Sequence, residues 1–264
     1  MINMPLQLDS ITDVTPCAHG SIVVSGSHGG IYPAAVASLA GIRAVLLNDA
    51  GIGLDQAGVA GVLALADVGM AAAAVDCQSC QIGSASSMLR YGHISLVNTV
   101  AEALGVCTGM PVTKALDLLV NAPIPFTALP RNKITRSEIK LTVNGPNVAL
   151  LDSASLVQAK DAGKIVITGS HGAIIGGKPE RALKVRARIA VFNDAGIGLN
   201  KIGISRLPAL DTCGIAAVTV SHNSARIGDA LSALNTGLIS AANNEALRLG
   251  AKKHQRLCVW LEML

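Results

Sequence analysis

Residues 21–58 read SIVVSGSHGGIYPAAVASLAGIRAVLLNDAGIGLDQAG, and this stretch decides the fold. IVVSG and AVLLN are short aliphatic runs that end in polar residues or glycine, the form of strands buried on both faces of a parallel sheet. Between them lies a helical stretch with Pro33 near its start, where a missing N–H costs nothing, and Gly41 at its close. Strand, helix and parallel strand make a right-handed crossover unit. A second helix over VAGVLALADVG (59–69), capped by Asp55, and a third strand, AAAAV (71–75), continue the pattern.

The pattern occurs twice. KIVITGSHGA (164–173) repeats SIVVSGSHGG (21–30), and FNDAGIGLNKIG (192–203) repeats LNDAGIGLDQAG (47–58). GIAAVTVSHNSARIGD (214–229) repeats GMAAAAVDCQSCQIGS (69–84), and TGLISAANNEALRLG (236–250) repeats YGHISLVNTVAEALG (91–105). Leu8-Asp9-Ser10 returns as Leu151-Asp152-Ser153, with Pro179 and Asn200 in the helix-starting positions of the second copy. Five blocks in one order mark a duplication. The expected fold is α/β: two tandem pseudo-symmetric βαβαβα repeats with parallel, Rossmann-like sheets. Repeat 1 spans 1–107 and repeat 2 spans 148–250. A proline-containing connector (108–147) carries a helix over VTKALDLLV (112–120) and an extra strand over SEIKLTV (137–143), and a C-terminal tail (251–264) follows repeat 2.

Composition narrows the function. The chain is 50% hydrophobic and only 14% charged, so most of it packs inside a core, while 2% aromatics argue against a β-sandwich. The same scarcity removes the stacking platforms of single-strand nucleic-acid binders. Mean hydropathy is positive at +0.49. The best candidate span, 58–75, nonetheless contains Asp67 and is broken by Gly58, Gly61 and Gly69, so no membrane span is expected. MINMPLQLDSITD has neither the basic start nor the apolar run of a signal peptide, and six cysteines read as reduced thiols, together predicting a cytoplasmic protein. Charge is divided unevenly: 3 Lys/Arg against 8 Asp/Glu in 1–130, and 18 against 9 in 131–264. The basic excess is scattered, which favours a small anionic partner over nucleic acid, and a homo-oligomer is compatible.

In open parallel sheets ligands gather outside the carboxyl ends of the strands, where three polar loops of each copy fall. The first holds Ser27 and His28, repeated as Ser170 and His171, among glycines that let backbone N–H groups approach a ligand. Imidazoles exchange protons near neutral pH, so His28 and His171 are candidate catalytic acid–base groups. The second holds Asn48 and Asp49, repeated as Asn193 and Asp194; the carboxylates are the remaining catalytic candidates, and Ser27, Ser170, Asn48 and Asn193 are candidate substrate contacts. The third breaks the symmetry. Copy two reads SHNSARIGD (221–229), with Ser224, Arg226 and Asp229 as candidate substrate-binding residues; copy one reads DCQSCQIGS (76–84), with Cys77 opposite His222. A guanidinium forks well onto a carboxylate or phosphate. Cys77 and Cys80 lack the second cysteine pair of a structural zinc site and read as small buried thiols.

NDAGIGLDQAGVAGVLALADVGMAAAAV (48–75) resembles the opening of SurE-type metal-dependent phosphatases and nucleotidases. That family begins with a strand, Asn-Asp-Asp-Gly-Ile, a small residue and glycine, a helix, and a valine-rich strand. Asn48-Asp49 and Gly51-Ile52 match, as do Asn193-Asp194 and Gly196-Ile197, while Ala50 and Ala195 stand where the family places its second acidic metal ligand. The resemblance implies metal-assisted phosphate-ester hydrolysis. The missing carboxylate leaves the cofactor open, a divalent metal included, and no residue is assigned as a metal ligand.

The expected function is an enzyme acting on a small anionic molecule in a cleft between the repeats, a hydrolase using His/Asp acid–base groups. An isomerase, racemase or lyase with a pseudo-twofold active site is the alternative within catalysis, as in two-lobed aspartate/glutamate racemase-type enzymes. A non-catalytic ligand-binding module is the alternative outside it.

Overall fold

The computed structural model describes residues 5–131, 133–141 and 146–264. Residues 1–4, 132 and 142–145, including the end of the strand expected over 137–143, lie outside them. The chain is α/β and forms two compact units. Unit 1 comprises Met1–Ile52, Gln56–Lys133 and Gly198–Asn200; unit 2 comprises Gly53–Asp55, Ile134–Ile197 and Lys201–Leu264.

Unit 1 holds a sheet of β1 (Leu6–Leu8), β2 (Ile22–His28), β3 (Ala44–Asn48), β4 (Ala71–Val75) and β5 (Ile94–Val97), in that spatial order. The first four strands are parallel, and β5 runs antiparallel to β4. Its helices are α1 (Ile31–Leu39), α2 (Ala60–Ala64), α3 (Ala85–Tyr91), α4 (Thr99–Ala103) and α5 (Val112–Leu119). Successive strand residues point to opposite faces, so one strand feeds two cores. Val24, Leu46 and Ala73 pack with Met88, Val112 and Leu116 on one side; Val23, Val45 and Ala72 pack with Ala34, Ala37 and Val62 on the other.

Unit 2 repeats the plan with β7 (Asn147–Leu151), β8 (Ile165–His171), β9 (Ile189–Asn193), β10 (Ala216–Val220) and β11 (Ile239–Ala242). β6 (Arg136–Lys140) adds an antiparallel edge strand to β7 and covers the described part of the extra strand expected there. The helices are α6 (Arg206–Asp211), α7 (Ala230–Thr236), α8 (Asn244–Arg248) and α9 (Leu257–Glu262). α5 and α9 occupy matching places: each follows a short bridge, His93–Pro111 or Leu238–Arg256, and each packs into the core of its own unit. The end segment 251–264 thus builds core, with Trp260 fully buried and donating its indole N–H to the Leu249 carbonyl at 3.0 Å.

Two duplicated polar residues are structural. Asp9 and Asp152 accept the backbone N–H groups of Ala85 and Ala230, which ties the first strand of each repeat to the start of α3 or α7. Asn98 and Asn243 are buried amides that accept from the first turn of α4 or α8 and donate to a carbonyl within α2 or α6 (Val62 or Leu207) and to one just before β4 or β10 (Met70 or Ile215).

The repeats diverge after the first loop. The sequence pattern predicts a helix there in both copies, but unit 2 has only 3-10 turns at Ile175–Gly177 and Pro179–Arg181. Gly61 and Arg206 hold matching positions, their N–H groups bonding the carbonyls of Gly29 and Gly172. In unit 1 α1 lies so close to Gly61 that a Cβ there would sit 2.2 Å from the Gly30 carbonyl oxygen. Arg206 needs that space for its side chain, and Gly176 and Gly177, at φ of 62° and 67°, break any helix that remains.

The β6 edge is held by charge. Asp161, its side chain fully buried, accepts both terminal nitrogens of Arg136 at 2.7 and 2.9 Å, while Glu138 pairs with Arg136 and Lys164. The Arg136 guanidinium holds the Asp161 carboxyl down at about 2. A depressed carboxyl contributes stability above its unfolded value and loses it as pH falls, so unfolding free energy should drop between about pH 4 and pH 2. Asp161→Asn should cost about 2–3 kcal/mol at neutral pH and flatten that acid limb; the cost is below that of a wholly buried pair because Arg136 keeps 16% exposure. Chemical denaturation of both forms across pH checks it.

Candidate functional site

The polar loops stand at the carboxyl ends of β2, β3 and β4 in unit 1 and of β8, β9 and β10 in unit 2. The second loop leaves β3 or β9 through an unusual backbone. Ala50, Gly51, Ile52 and Gly53 have φ of 50°, 74°, 63° and 72°; Ala195, Gly196, Ile197 and Gly198 have 48°, 77°, 63° and 67°. Left-handed conformation costs an L residue about 1–2 kcal/mol, and a branched Cβ suffers most. Such strain collects at functional sites. Ile52→Asn, a swap to a residue tolerant of this region, should raise unfolding free energy by about 1 kcal/mol because Ile52 is 39% exposed and loses little burial. Equilibrium denaturation tests this; a loss of stability would mean the turn is unstrained.

Two side chains stabilise that turn in each unit. Asn48 and Asn193 accept the N–H of Ala50 and Ala195 at 2.9 Å, and their amide groups donate to the Cys80 sulfur and the Ala225 carbonyl. Asp49 and Asp194 accept from Gly51 and Gly196. The asparagines are therefore buried struts, whereas the aspartates keep further partners.

His28 and His171 turn inward. Their Nδ1 atoms accept from the N–H groups of Gly30 and Ala173, both at 3.2 Å, which leaves the ring proton on Nε2. Burial drives the His28 imidazole down to about 4, so it is neutral at physiological pH. Ser27 and Ser170 accept from Ile11 and Ala154, and Ser224 bridges the Ser221 carbonyl and the Leu238 N–H.

The third loop supplies the partner of each aspartate. In unit 2 Asp194 Oδ1 accepts the backbone N–H of His222 at 2.9 Å and the His222 Nδ1 at 2.8 Å. Asp194 is 2% exposed, while the His222 side chain keeps 20% of its surface open. A carboxylate only accepts, so Nδ1 donates and the Nε2 lone pair is left as the basic site. Sequence reasoning took Ser224, Arg226 and Asp229 from this loop and left His222 out; the available signal was its alignment with Cys77, two residues after β10 and adjacent to Ser221.

In unit 1 the same carboxylate meets a thiol. Asp49 accepts the Cys77 N–H at 3.0 Å, and burial, reinforced by the Asp49 charge, pushes the Cys77 thiol far up. Burial likewise pushes the Cys80 thiol up to about 12. Thiols held protonated are poor nucleophiles. Asp49, Asp76 and Cys77 bring one ligand atom each within 4.8 Å of one another, a set that could hold a thiophilic divalent cation.

Arg226 lies on the unit 2 loop, where Asp55 receives its Nε and Nη2 at 2.7 Å and Asp229 stands 3.6 Å away. Asp55 therefore spends its carboxylate on Arg226 and does not cap α2; Asp229 caps α7 through Ser232. Among the described residues no helix is long and apolar enough to cross a membrane. No protein family, curated protein or solved structure matches the chain.

Proposed function

We propose that unit 2 is the catalytic half of a general acid–base enzyme acting on a small anionic molecule, with His222 as the base and Asp194 as its orienting carboxylate. The observation that carries the reading is the 2.8 Å bond from the His222 ring, which keeps 20% of its surface open, to a buried, backbone-anchored Asp194. A carboxylate fixed in this way selects the ring tautomer and stabilises the imidazolium formed when the ring accepts a proton. The task allotted by sequence to His171 passes to His222, while Asp194 keeps its place. Unit 1 holds Cys77 at the corresponding position and is the silent copy.

Hydrolysis is the preferred reaction: water is the nucleophile such a base can activate with no further side chain. The resemblance to SurE-type phosphatases points the same way. The basic excess of 131–264 favours an anionic substrate, although Arg226 must first exchange Asp55 for that anion. Turnover of a panel of phosphate esters, carboxylate esters and amides by the full chain tests the proposal. Activity that disappears in Asp194→Asn is expected; activity indifferent to that change contradicts it. Isomerisation by the same base is the second reading and would incorporate deuterium from solvent into unreacted substrate. A binding module would show saturable binding without turnover.

A further inference from the structure

The loop that replaces a helix in unit 2 carries an assignment of its own. Arg206 is 3% exposed, and among the described residues no carboxylate pairs with it. Its guanidinium donates instead to backbone carbonyls at both ends of one loop: Nε to Ala173 at 3.0 Å, and Nη1 to Arg181 at 3.3 Å and to Ala182. The same group lies 4.9 Å over the Phe192 ring. A buried cation without a counter-charge is costly unless hydrogen bonds satisfy its donors, as these carbonyls do. Here it fixes the base of the segment 174–181, which Ser205 also grips by accepting the Ile174 N–H.

The segment begins three residues after His171, at the carboxyl end of β8, and it is basic. Lys178, Arg181, Lys184, Arg186 and Arg188 face only Glu180 between 178 and 188, whereas α1 in the matching place of unit 1 has no charged residue. Lys184 is tied to the Ser155 carbonyl and Arg188 to that of Leu264. Lys178 and Arg181 are exposed, and among the described residues neither makes an ion pair. Gly176 and Gly177 give the loop tip its left-handed bend without strain.

We infer that the segment 174–181 is an anion-capturing loop for the proposed substrate, with Lys178 and Arg181 as the recognising cations and buried Arg206 as the anchor that preorganises them. The inference rests on reading unit 2 as an enzyme for anionic molecules and names the chemistry it selects: a phosphate or carboxylate group. A fixed loop base lowers the ordering cost of gripping a small anion. Both side chains are exposed, so the Arg181 guanidinium is free to fork onto an anion and the Lys178 ammonium to add a point charge.

Inorganic phosphate titrated into the full chain by calorimetry, at low and at physiological ionic strength, is the test. Wild type should show saturable binding that weakens with salt. Lys178→Gln/Arg181→Gln should weaken it by about tenfold or more with an unchanged melting temperature. Arg206→Met, which keeps the apolar stem but loses the carbonyl contacts, should weaken phosphate binding and speed tryptic cleavage after Arg181 while circular dichroism keeps the native signal. Should that variant fail to fold, the double variant decides alone. No saturation in wild type, or equal affinity in the double variant, overturns the inference. So does binding of oligonucleotides that excludes phosphate and strengthens with chain length, which would make the loop a nucleic-acid contact. The readout is phosphate affinity, so failure of the loop leaves the dyad standing, and loss of the dyad leaves the loop standing.

Discussion

His222→Asn is expected to lower kcat by about 10²–10⁴-fold on whichever substrate the panel reveals, with a much smaller change in KM. Asparagine keeps roughly the shape and a polar tip, and the backbone N–H of residue 222 continues to bind Asp194, so the loop should hold its place. What disappears is a ring nitrogen able to take a proton. Asp194→Asn should act through the same pair: an amide can present N–H to the ring and leave it in the wrong tautomer. The double variant should be little worse than either single one, because the two residues form one device. Cys77→Ala, the change at the corresponding position of unit 1, should leave turnover at the wild-type level. If Cys77→Ala removes turnover and His222→Asn does not, the assignment of the active repeat is reversed.

Gly203→Ala is expected to cost about 3 kcal/mol or more and to abolish turnover with it. A Cβ at 203 would stand 2.0 Å from the Asp194 carbonyl oxygen and 3.0 Å from that of Ile197, both backbone atoms of the left-handed turn. Neither can rotate away as a side chain would, so the turn that carries Asp194 must shift. Gly58→Ala places its Cβ 2.2 Å from the Asp49 carbonyl oxygen and should destabilise unit 1 comparably. The two variants separate stability from chemistry. At a temperature where both remain folded, Gly58→Ala should retain turnover and Gly203→Ala should not. Denaturation curves and single-temperature kinetics of the pair provide the check.

Much of the fold was legible because its signals are local. The aliphatic runs at 22–26, 44–48 and 71–75, and their copies, read as buried parallel strands, and glycine or a polar residue marked where each met its loop. The missing helix after β8 was not legible: Arg206 and Gly61 align, but nothing in the chain order says that the arginine is buried where α1 would lie. The site was legible in its place more than in its members. Asn48 and Asn193 stood out by repetition, and repetition turns out to accompany turn-building as readily as chemistry. His28 and His171 sit one residue before a glycine, and that turn folds their Nδ1 back onto the backbone. The pair proposed to carry the chemistry is the one where the copies differ, His222 on Asp194 against Cys77 on Asp49.

The tautomer of His222 is the most direct test and needs no substrate. In ¹⁵N-edited NMR of the full chain, the ring should carry its proton on Nδ1, with a slowly exchanging, downfield Nδ1–H resonance that vanishes in Asp194→Asn. A proton on Nε2, or a rapidly exchanging ring indifferent to Asp194, would contradict the dyad and with it the proposed chemistry.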